Sequence, residues 1–502
     1  MCGIALNLER NTVMKIKHIS LVCLFALFGS ILQSCSDEQN PSTPVTEPMP
    51  ESSIAESEYE YPDLKLDQKE INILNSESVW SIYTNLDFDT ISGETLDDAV
   101  YNRNRTIESM FDCQLVVDEY ASGGDFNGYT NHAYNIILSG DDKYEVMYLK
   151  PAGKLDLVTE GMLHDLRSLE GLNLDSDWWD KVVSEAAEVD GKLYFTSGCL
   201  HLMPFETSWC LYFNESLFEK DQLGKPYELV RSGDWTLDRL TEICRSNCAL
   251  NGDESYTYKQ GGNSVYGVAS HTNAISCMLF GAGVRYVSNE NGKFVYSLTG
   301  ERFHDAVEKI SHLTASEGAY FKASNSDWDA EAGGYIYTFA NDRALFLTGQ
   351  IKTANQLRDM NSEFGILPFP KLDDNQDDYF TYITGNNLML TIPVTNQSPE
   401  ETAAILDALT YYSYKNLLPI YYGNKVEQKG LRNDDSIEML DYIRSGRGID
   451  IADYFLLNSS VTSELTSAIL NSTGTAASIA ESNRSKVENA ITVFMETIEK
   501  EH

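Results

Sequence analysis

Short apolar strands alternate with amphipathic helices from residue 71 onward, and this alternation limits the possible folds more than any other feature of the sequence. A strand is predicted over 71–74, a helix from Thr95, a strand over 113–117, and, after a helical stretch, a buried strand over 145–149. This order is typical of an α/β layered domain with a parallel sheet. Later segments fit the same plan, with strands predicted over 208–213, 264–269, 344–347, 364–367 and 387–392, and helices over 301–314, 398–412, 434–445, 460–470 and 482–499.

The N-terminal segment contains an export signal. Lys15 and Lys17 precede an apolar run over 19–32, which is shorter than the roughly 20 residues that a helix needs to span a bilayer. The run ends in Leu32-Gln33-Ser34-Cys35, which resembles a bacterial lipobox. That resemblance implies cleavage before Cys35 and a diacylglycerol on its sulfur, with a plain signal anchor as the alternative. We interpret residues 1–34 as the signal region and Met14 as the true start.

Residues 35–66 are predicted to be the lipidated cysteine followed by a disordered tether. Prolines recur there among Ser, Thr and Glu, and such a segment cannot bury enough apolar surface to offset its ordering entropy. The whole chain has 37 basic and 76 acidic residues, a net charge of −39. This balance excludes a general nucleic-acid binder, because a phosphate backbone requires clustered Lys and Arg.

Motifs for metal binding or catalysis are missing from the sequence. It has no CxxC pair, HExxH, GxSxG, P-loop or GxGxxG, so we expect no metal and no cofactor. Cys244 and Cys248 stand four residues apart in a predicted helix, and we interpret them as buried small hydrophobes, with a disulfide or metal pair as the alternative. Paired carboxylates for glycoside hydrolysis stay open, because the fold sets their separation.

Several blocks, taken in order, resemble a known family. The first are Glu145-Val146-Met147-Tyr148-Leu149 with Gly161-Met162-Leu163-His164-Asp165-Leu166, and Gly191-Lys192-Leu193-Tyr194 with Leu211-Tyr212-Phe213-Asn214. Next come Gly233-Asp234-Trp235-Thr236, the segment 339–349, and Gly365-Ile366-Leu367-Pro368. From about Leu66 onward the chain resembles the extracellular solute-binding proteins of carbohydrate ABC importers, the maltose-binding-protein type.

The resemblance implies a two-lobed, periplasmic-binding-protein-like α/β fold of class II, with a hinge and a ligand cleft between the lobes. Lobe one would comprise 67–187 plus 363–395, and lobe two 188–362 plus 396–500. Ligands of such sheets bind outside the carboxyl ends of the strands. A ligand that touches both lobes would couple binding to closure.

Candidate ligand residues are those placed near predicted strand ends, because a sugar needs aromatic platforms and polar groups for its hydroxyls. In lobe one Trp80 follows the first strand, Tyr148 and Lys150 end another, and Asn386 precedes a third. In lobe two, candidates are Phe205 and Trp209 near the lobe crossing, His271 and Asn273 after a strand, and Gln350 at a strand end. Each of these can also be read as a structural residue.

Three functions follow from these observations. The first is a lipid-anchored solute-binding protein that faces outside the cytoplasm, captures a sugar, and delivers it to the permease subunits of an ABC importer. The second is an exported glycan-degrading lipoprotein enzyme. The third is a surface glycan-docking lipoprotein, a class that is nearly all-helical, so the predicted strands disfavour it.

Overall fold

The computed structural model describes residues 59–501, except for residues 81, 260, 272, 323–333, 427–430, 432–433, 456 and 458–459. The signal region, Cys35 and most of the predicted tether lie outside the described residues. Within the described part, no helix has the length and apolar character needed to cross a membrane.

Two mixed sheets organise the described chain. The strands are β1 Lys69–Ser76, β2 Cys113–Tyr120, β3 Val146–Leu149, β4 Trp209–Asn214, β5 Tyr266–Ser270, β6 Val287–Glu290, β7 Lys293–Tyr296, β8 Tyr320–Lys322, β9 Ala344–Gln350, β10 Phe364–Leu367, β11 Thr381–Tyr382, β12 Met389–Thr391 and β13 Arg447–Gly448. The first sheet has the order β12-β3-β1-β2 and the second the order β10-β4-β9-β5-β8. In the first sheet β1, β2 and β3 run parallel and β12 runs antiparallel to β3. These sheets contradict the nearly all-helical architecture of the docking lipoprotein.

Helices connect and cover the strands. The longer helices are α1 Thr95–Phe111, α2 Phe126–Leu138, α4 Lys181–Ala187, α6 Glu215–Lys220, α7 Tyr227–Ser232, α8 Leu237–Asn247, α9 Ala274–Gly281, α10 Gly300–Thr314, α11 Tyr335–Ala340, α13 Pro399–Tyr412, α14 Leu418–Val426, α15 Asp434–Ser445, α17 Val461–Leu470 and α18 Ala476–Glu501. Single turns are α3 Asp156–Thr159, α5 Met203–Glu206, α12 Ala354–Leu357 and α16 Ile451–Tyr454, with 3₁₀ turns at Leu166–Ser168 and Ile351–Thr353 and a π-helical turn at Ser413–Leu417. Strands β3 and β4 are buried along their whole length, as expected for strands covered on both faces.

Helix α1 covers the first sheet with the apolar face of an amphipathic sequence. Val100, Ile107 and Phe111 are fully buried and lie at helical spacing on one face. The helix begins after Glu94, and Asp98 in its first turn accepts the backbone N–H of Ser92 at 2.8 Å. A carboxylate at this end of a helix is favourable because the macrodipole is positive there.

The chain crosses between the sheets at positions that differ from the predicted lobe boundaries. Strand β10 was expected to open the return to lobe one at residue 363, but it pairs antiparallel with β4 and belongs to the second sheet. Helix α13 was expected in lobe two, yet its Glu401 pairs with Lys69 of β1 at 2.7 Å. Sequence blocks order the elements along the chain but carry no information on which sheet a late element joins. The remaining lobe assignments stay predictions.

The predicted tether also ends earlier than residue 66. Tyr59 stacks on Tyr411 with ring centroids 4.3 Å apart and meets Trp178 edge-on at 5.3 Å. Leu66 is buried, and its backbone N–H donates to the carbonyl of Phe111 at 2.9 Å. The aromatic side chains near the end of this acidic segment bury enough apolar area to dock it on the body.

A buried carboxylate joins helix α13 to the segment before α4. Asp407 is 1% exposed and accepts the indole N–H of Trp179 at 2.7 Å and that of Trp178 at 2.9 Å. It also accepts the backbone N–H of Asn173 at 3.0 Å and the Asn173 side-chain amide at 2.6 Å. The tryptophan pair is therefore a packing element. Cys244 and Cys248 are both unpaired, and Cys244 is buried.

Candidate functional site

Six of the predicted ligand residues line one cavity with a volume of about 520 Å³. They are Trp80, Trp209, His271, Asn273, Gln350 and Asn386. The cavity lies where β1, β5 and β9 end, which is the position expected for a ligand of an open α/β sheet. Its volume is in the range of small-molecule sites, roughly 300–1,000 Å³.

Both sheets contribute to this cavity. From the first sheet come the loop after β1 and the segment before β12; from the second come the start of β4 and the turns that follow β5 and β9. The lining residues that the sequence did not single out are Ile82, Thr207, Tyr335, Gly349, Lys352, Thr353, Gln356 and Thr384.

An aromatic wall is formed by Trp209, His271 and Tyr335. The rings of Trp209 and His271 are stacked with centroids 5.8 Å apart, and the ring centroid of Tyr335 lies 5.7 Å from that of His271. Trp209 is 4% exposed, and its indole Nε1–H is buried without an acceptor among the described residues. A buried donor without a partner is costly, so an acceptor atom entering the cavity would relieve this cost.

The ring of His271 has a defined orientation. Its backbone N–H donates to Thr348 Oγ1 at 3.1 Å, and its Nδ1 accepts the backbone N–H of Asn273 at 3.2 Å. Because Nδ1 is an acceptor, the proton of the neutral imidazole is on Nε2. His271 therefore fixes the start of the loop that carries Asn273.

Trp80 forms part of the cavity rim. It is 55% exposed, and its backbone has a φ of 55°, in the left-handed region that bulky residues rarely adopt. The indole rests against Gly124, where any side chain would collide with it, and meets Phe126 edge-on at 5.6 Å. An exposed aromatic face held in a strained conformation is a feature that clusters at ligand sites.

Polar contacts connect the two sides of the cavity. Thr207 Oγ1 donates to Asn387 Oδ1 at 2.6 Å, joining the segment before β4 to the segment before β12. Lys352 Nζ donates to the carbonyl oxygen of Trp80 at 3.0 Å and so also joins the two sides. Gln350 Nε2 donates to the carbonyl of Thr207 at 3.2 Å within the second-sheet side. Burial lowers the pKa of Lys352, and the charge of Glu206 partly opposes this shift.

Three of the predicted ligand residues do not line this cavity. Tyr148 is buried against His201, with ring centroids 4.6 Å apart, and burial raises its pKa. Lys150 points its ammonium at Asn127 Oδ1, 3.0 Å away. Phe205 is buried, and its ring lies 3.6 Å from the guanidinium carbon of Arg447.

Sequence signals could have found some of the missed residues but not all of them. Thr384 belongs to the same Thr-Gly-Asn-Asn turn as Asn386, and Lys352 follows Gln350 by two residues. Thr207 and Tyr335 carry no such signal, because a turn in a sequence does not show which of its side chains faces a cavity.

Comparison with solved structures identifies the fold, whereas no protein-family model matches the chain and a search of curated proteins finds no relative. A cyclo/maltodextrin-binding protein complexed with maltotetraose is 11% identical with a TM-score of 0.56, over 86% of this chain and 98% of its own. The galacto-N-biose/lacto-N-biose I-binding protein of an ABC transporter from Bifidobacterium longum is 11% identical with a TM-score of 0.54, over 86% and 98%. RafE from Streptococcus pneumoniae is 16% identical with a TM-score of 0.52, over 88% and 100%.

At these identities the likeness is one of fold. The chain has the two-lobed α/β fold of the solute-binding proteins of ABC importers, which confirms the predicted fold class.

Proposed function

We propose that this protein is an extracellular solute-binding protein that captures a carbohydrate in the cavity and delivers it to the permease subunits of an ABC importer. The observation that supports this function best is the composition of the cavity, in which aromatic rings and amide side chains come from both sheets. Aromatic faces pack against the apolar C–H faces of a sugar ring. Amide side chains both donate and accept, as sugar hydroxyls require.

The proposal includes a mechanism of closure. A solute that contacts Trp80 on one side and Trp209 on the other gains contact energy only when the two sides are together. Binding then shifts the population toward the closed form by the difference in affinity between the two forms. The importer would recognise that closed form.

The proposed location is the outer face of a membrane, with a lipid on Cys35 as the anchor. Three features of the signal region support this location: the basic residues Lys15 and Lys17, the short apolar run over 19–32, and the lipobox-like end at Cys35. The 23 residues between Cys35 and Tyr59 would act as a spacer that allows the body to reach the permease.

The test is a binding screen on residues 35–502 carrying Cys35→Ser, using mono- and oligosaccharides, amino acids and short peptides. A solute at about 100 times its dissociation constant should stabilise the fold by about 2.7 kcal/mol, which thermal melting detects. Small-angle scattering should show a smaller radius of gyration with that solute. If no solute of the panel binds and the radius of gyration is unchanged, the proposal is contradicted. Turnover of a polysaccharide would favour the alternative of a glycan-degrading enzyme.

A pair of tryptophan variants tests the cavity itself. Trp209→Phe keeps an aromatic ring but removes the indole N–H, so we expect about fivefold weaker binding of the sugar found in the screen. The control is Trp235→Phe, because Trp235 is fully buried away from the cavity and its Nε1 donates to the carbonyl of Pro368 at 3.0 Å. The control should lower the melting temperature and leave the affinity unchanged, as titration calorimetry can measure.

A further inference from the structure

The described lining of the cavity contains neither Asp nor Glu, although the whole chain has 76 acidic residues and a net charge of −39. Lys352 provides the ammonium group of this lining. The cavity therefore carries a positive group and no carboxylate, whereas the molecule as a whole is strongly negative. This difference bears on the charge of the solute that the cavity accepts.

Lys352 has bonding capacity left for a ligand. Its Nζ donates to the carbonyl oxygen of Trp80 at 3.0 Å, and it forms no salt bridge with any residue in the described part of the chain. An ammonium has three N–H donors, so one bond to a carbonyl leaves capacity for an anion. Glu206 is buried outside the lining, and its carboxylate accepts the hydroxyl of Tyr421 at 2.7 Å.

The neighbouring groups are also suited to an acceptor-rich ligand. The buried indole N–H of Trp209 has no acceptor among the described residues, and Asn273, Gln356 and Asn386 bring amide donors to the same cavity. The charge of Glu206 offsets only part of the cost of burying the Lys352 ammonium, and a ligand anion would offset more of it. Charge-assisted hydrogen bonds are roughly twice as strong as neutral ones.

We infer that the solute is an anionic carbohydrate, whose carboxylate or sulfate ester binds at Lys352. This inference rests on the proposed function and adds the charge of the substrate to it. The net charge of the chain repels anions from a distance, but screening limits that repulsion to about 8 Å at physiological ionic strength. Selection is therefore made at contact, by Lys352.

The experiment measures binding of matched charged and neutral sugars by titration calorimetry to residues 35–502 carrying Cys35→Ser. One arm compares digalacturonate with its methyl esters, and the other compares galactose 6-sulfate with galactose. We expect at least one acid to bind about tenfold or more tightly than its neutral partner, a difference of about 1.4 kcal/mol. The arm with the larger preference identifies carboxylate or sulfate.

Two substitutions at Lys352 connect the preference to this side chain. Lys352→Met should abolish the preference and Lys352→Arg should keep it, because only the second retains a charge. Lys309→Met is the matched control, since Lys309 pairs with Asp238 outside the cavity, and it should bind as the wild type does. Thermal melting checks that each variant is folded. If Lys352→Met is unstable, Lys352→Arg tests the inference by itself, because it should keep the preference for the charged sugar.

The outcomes separate this inference from the proposed function. If each acid binds no more tightly than its neutral partner, or if the preference survives in Lys352→Met, the inference is wrong. If neutral sugars of the wider panel bind and both acids fail, the inference is again wrong and the proposed function stands. If no sugar binds and scattering shows no closure, both are wrong.

Discussion

Asp407 is the residue whose replacement we expect to be most costly in the packing of helix α13. Its carboxylate is 1% exposed and accepts the indole N–H groups of Trp178 and Trp179 together with two N–H donors of Asn173. Asp407→Ala removes the acceptor and leaves these donors to find other partners.

The magnitude follows from how far each donor is from water. Trp179 is 3% exposed, so its N–H becomes a buried donor without a partner, at a cost of about 1–3 kcal/mol. Asn173 is exposed and Trp178 is half-buried, so water replaces part of their bonds. We therefore expect Asp407→Ala to lower the free energy of unfolding by about 3 kcal/mol.

The assay is urea unfolding followed by tryptophan fluorescence and circular dichroism. The control is Glu401→Ala on the same helix, because Glu401 pairs with Lys69 at 2.7 Å while the two side chains are 41% and 32% exposed. Surface pairs of this kind contribute about 0–1 kcal/mol. A loss below about 1 kcal/mol in Asp407→Ala, or one equal to that of the control, would refute the reasoning.

Three further predictions concern acid stability, the cavity rim and the anchor. Burial, and then the charge of Arg103, lower the pKa of His201 to about 3, whereas an unfolded histidine titrates near 6.5. The stability that depends on neutral His201 is therefore complete above about pH 6.5 and is lost as the pH falls toward 3. The free energy of unfolding, measured in urea, should therefore fall less between pH 7 and pH 5 in His201→Gln than in the wild type. Trp80→Ala should weaken binding of the sugar found in the screen about tenfold while changing the melting temperature little, because the side chain is 55% exposed; calorimetry and thermal melting check the two halves. Cys35→Ala should move the protein from the membrane fraction to the soluble fraction of cells, and unchanged fractionation would exclude the lipid anchor.

Single strands and helices could be predicted from the sequence, because the spacing of apolar residues that defines them lies within the element itself. The strand at 364–367 and the helix at 434–445 have the predicted bounds. Periodicity identifies such segments, since each buries one face or both. The sheet that β10 joins depends on pairing with β4, about 150 residues earlier in the chain, and no local pattern carries that information.

The same limit applies to the cavity. Trp80, His271 and Gln350 line it because each follows or ends a strand, a position that the sequence indicates. Tyr148 also lies near the end of a strand and Phe205 lies just before one, but their rings pack on His201 and Arg447, which come from other elements. The direction of a side chain depends on partners that are distant in sequence.

The crossings of the chain between the sheets have a consequence for biosynthesis. Strand β12 completes the first sheet by pairing Met389 with Leu149, so that sheet stays incomplete until nearly four-fifths of the chain has been made. Contacts this distant in sequence form slowly, because the intervening loop must close first. The second sheet, by contrast, takes all its strands from the continuous stretch 209–367. A fragment that ends before residue 389 therefore leaves β3 of the first sheet with an unpaired edge.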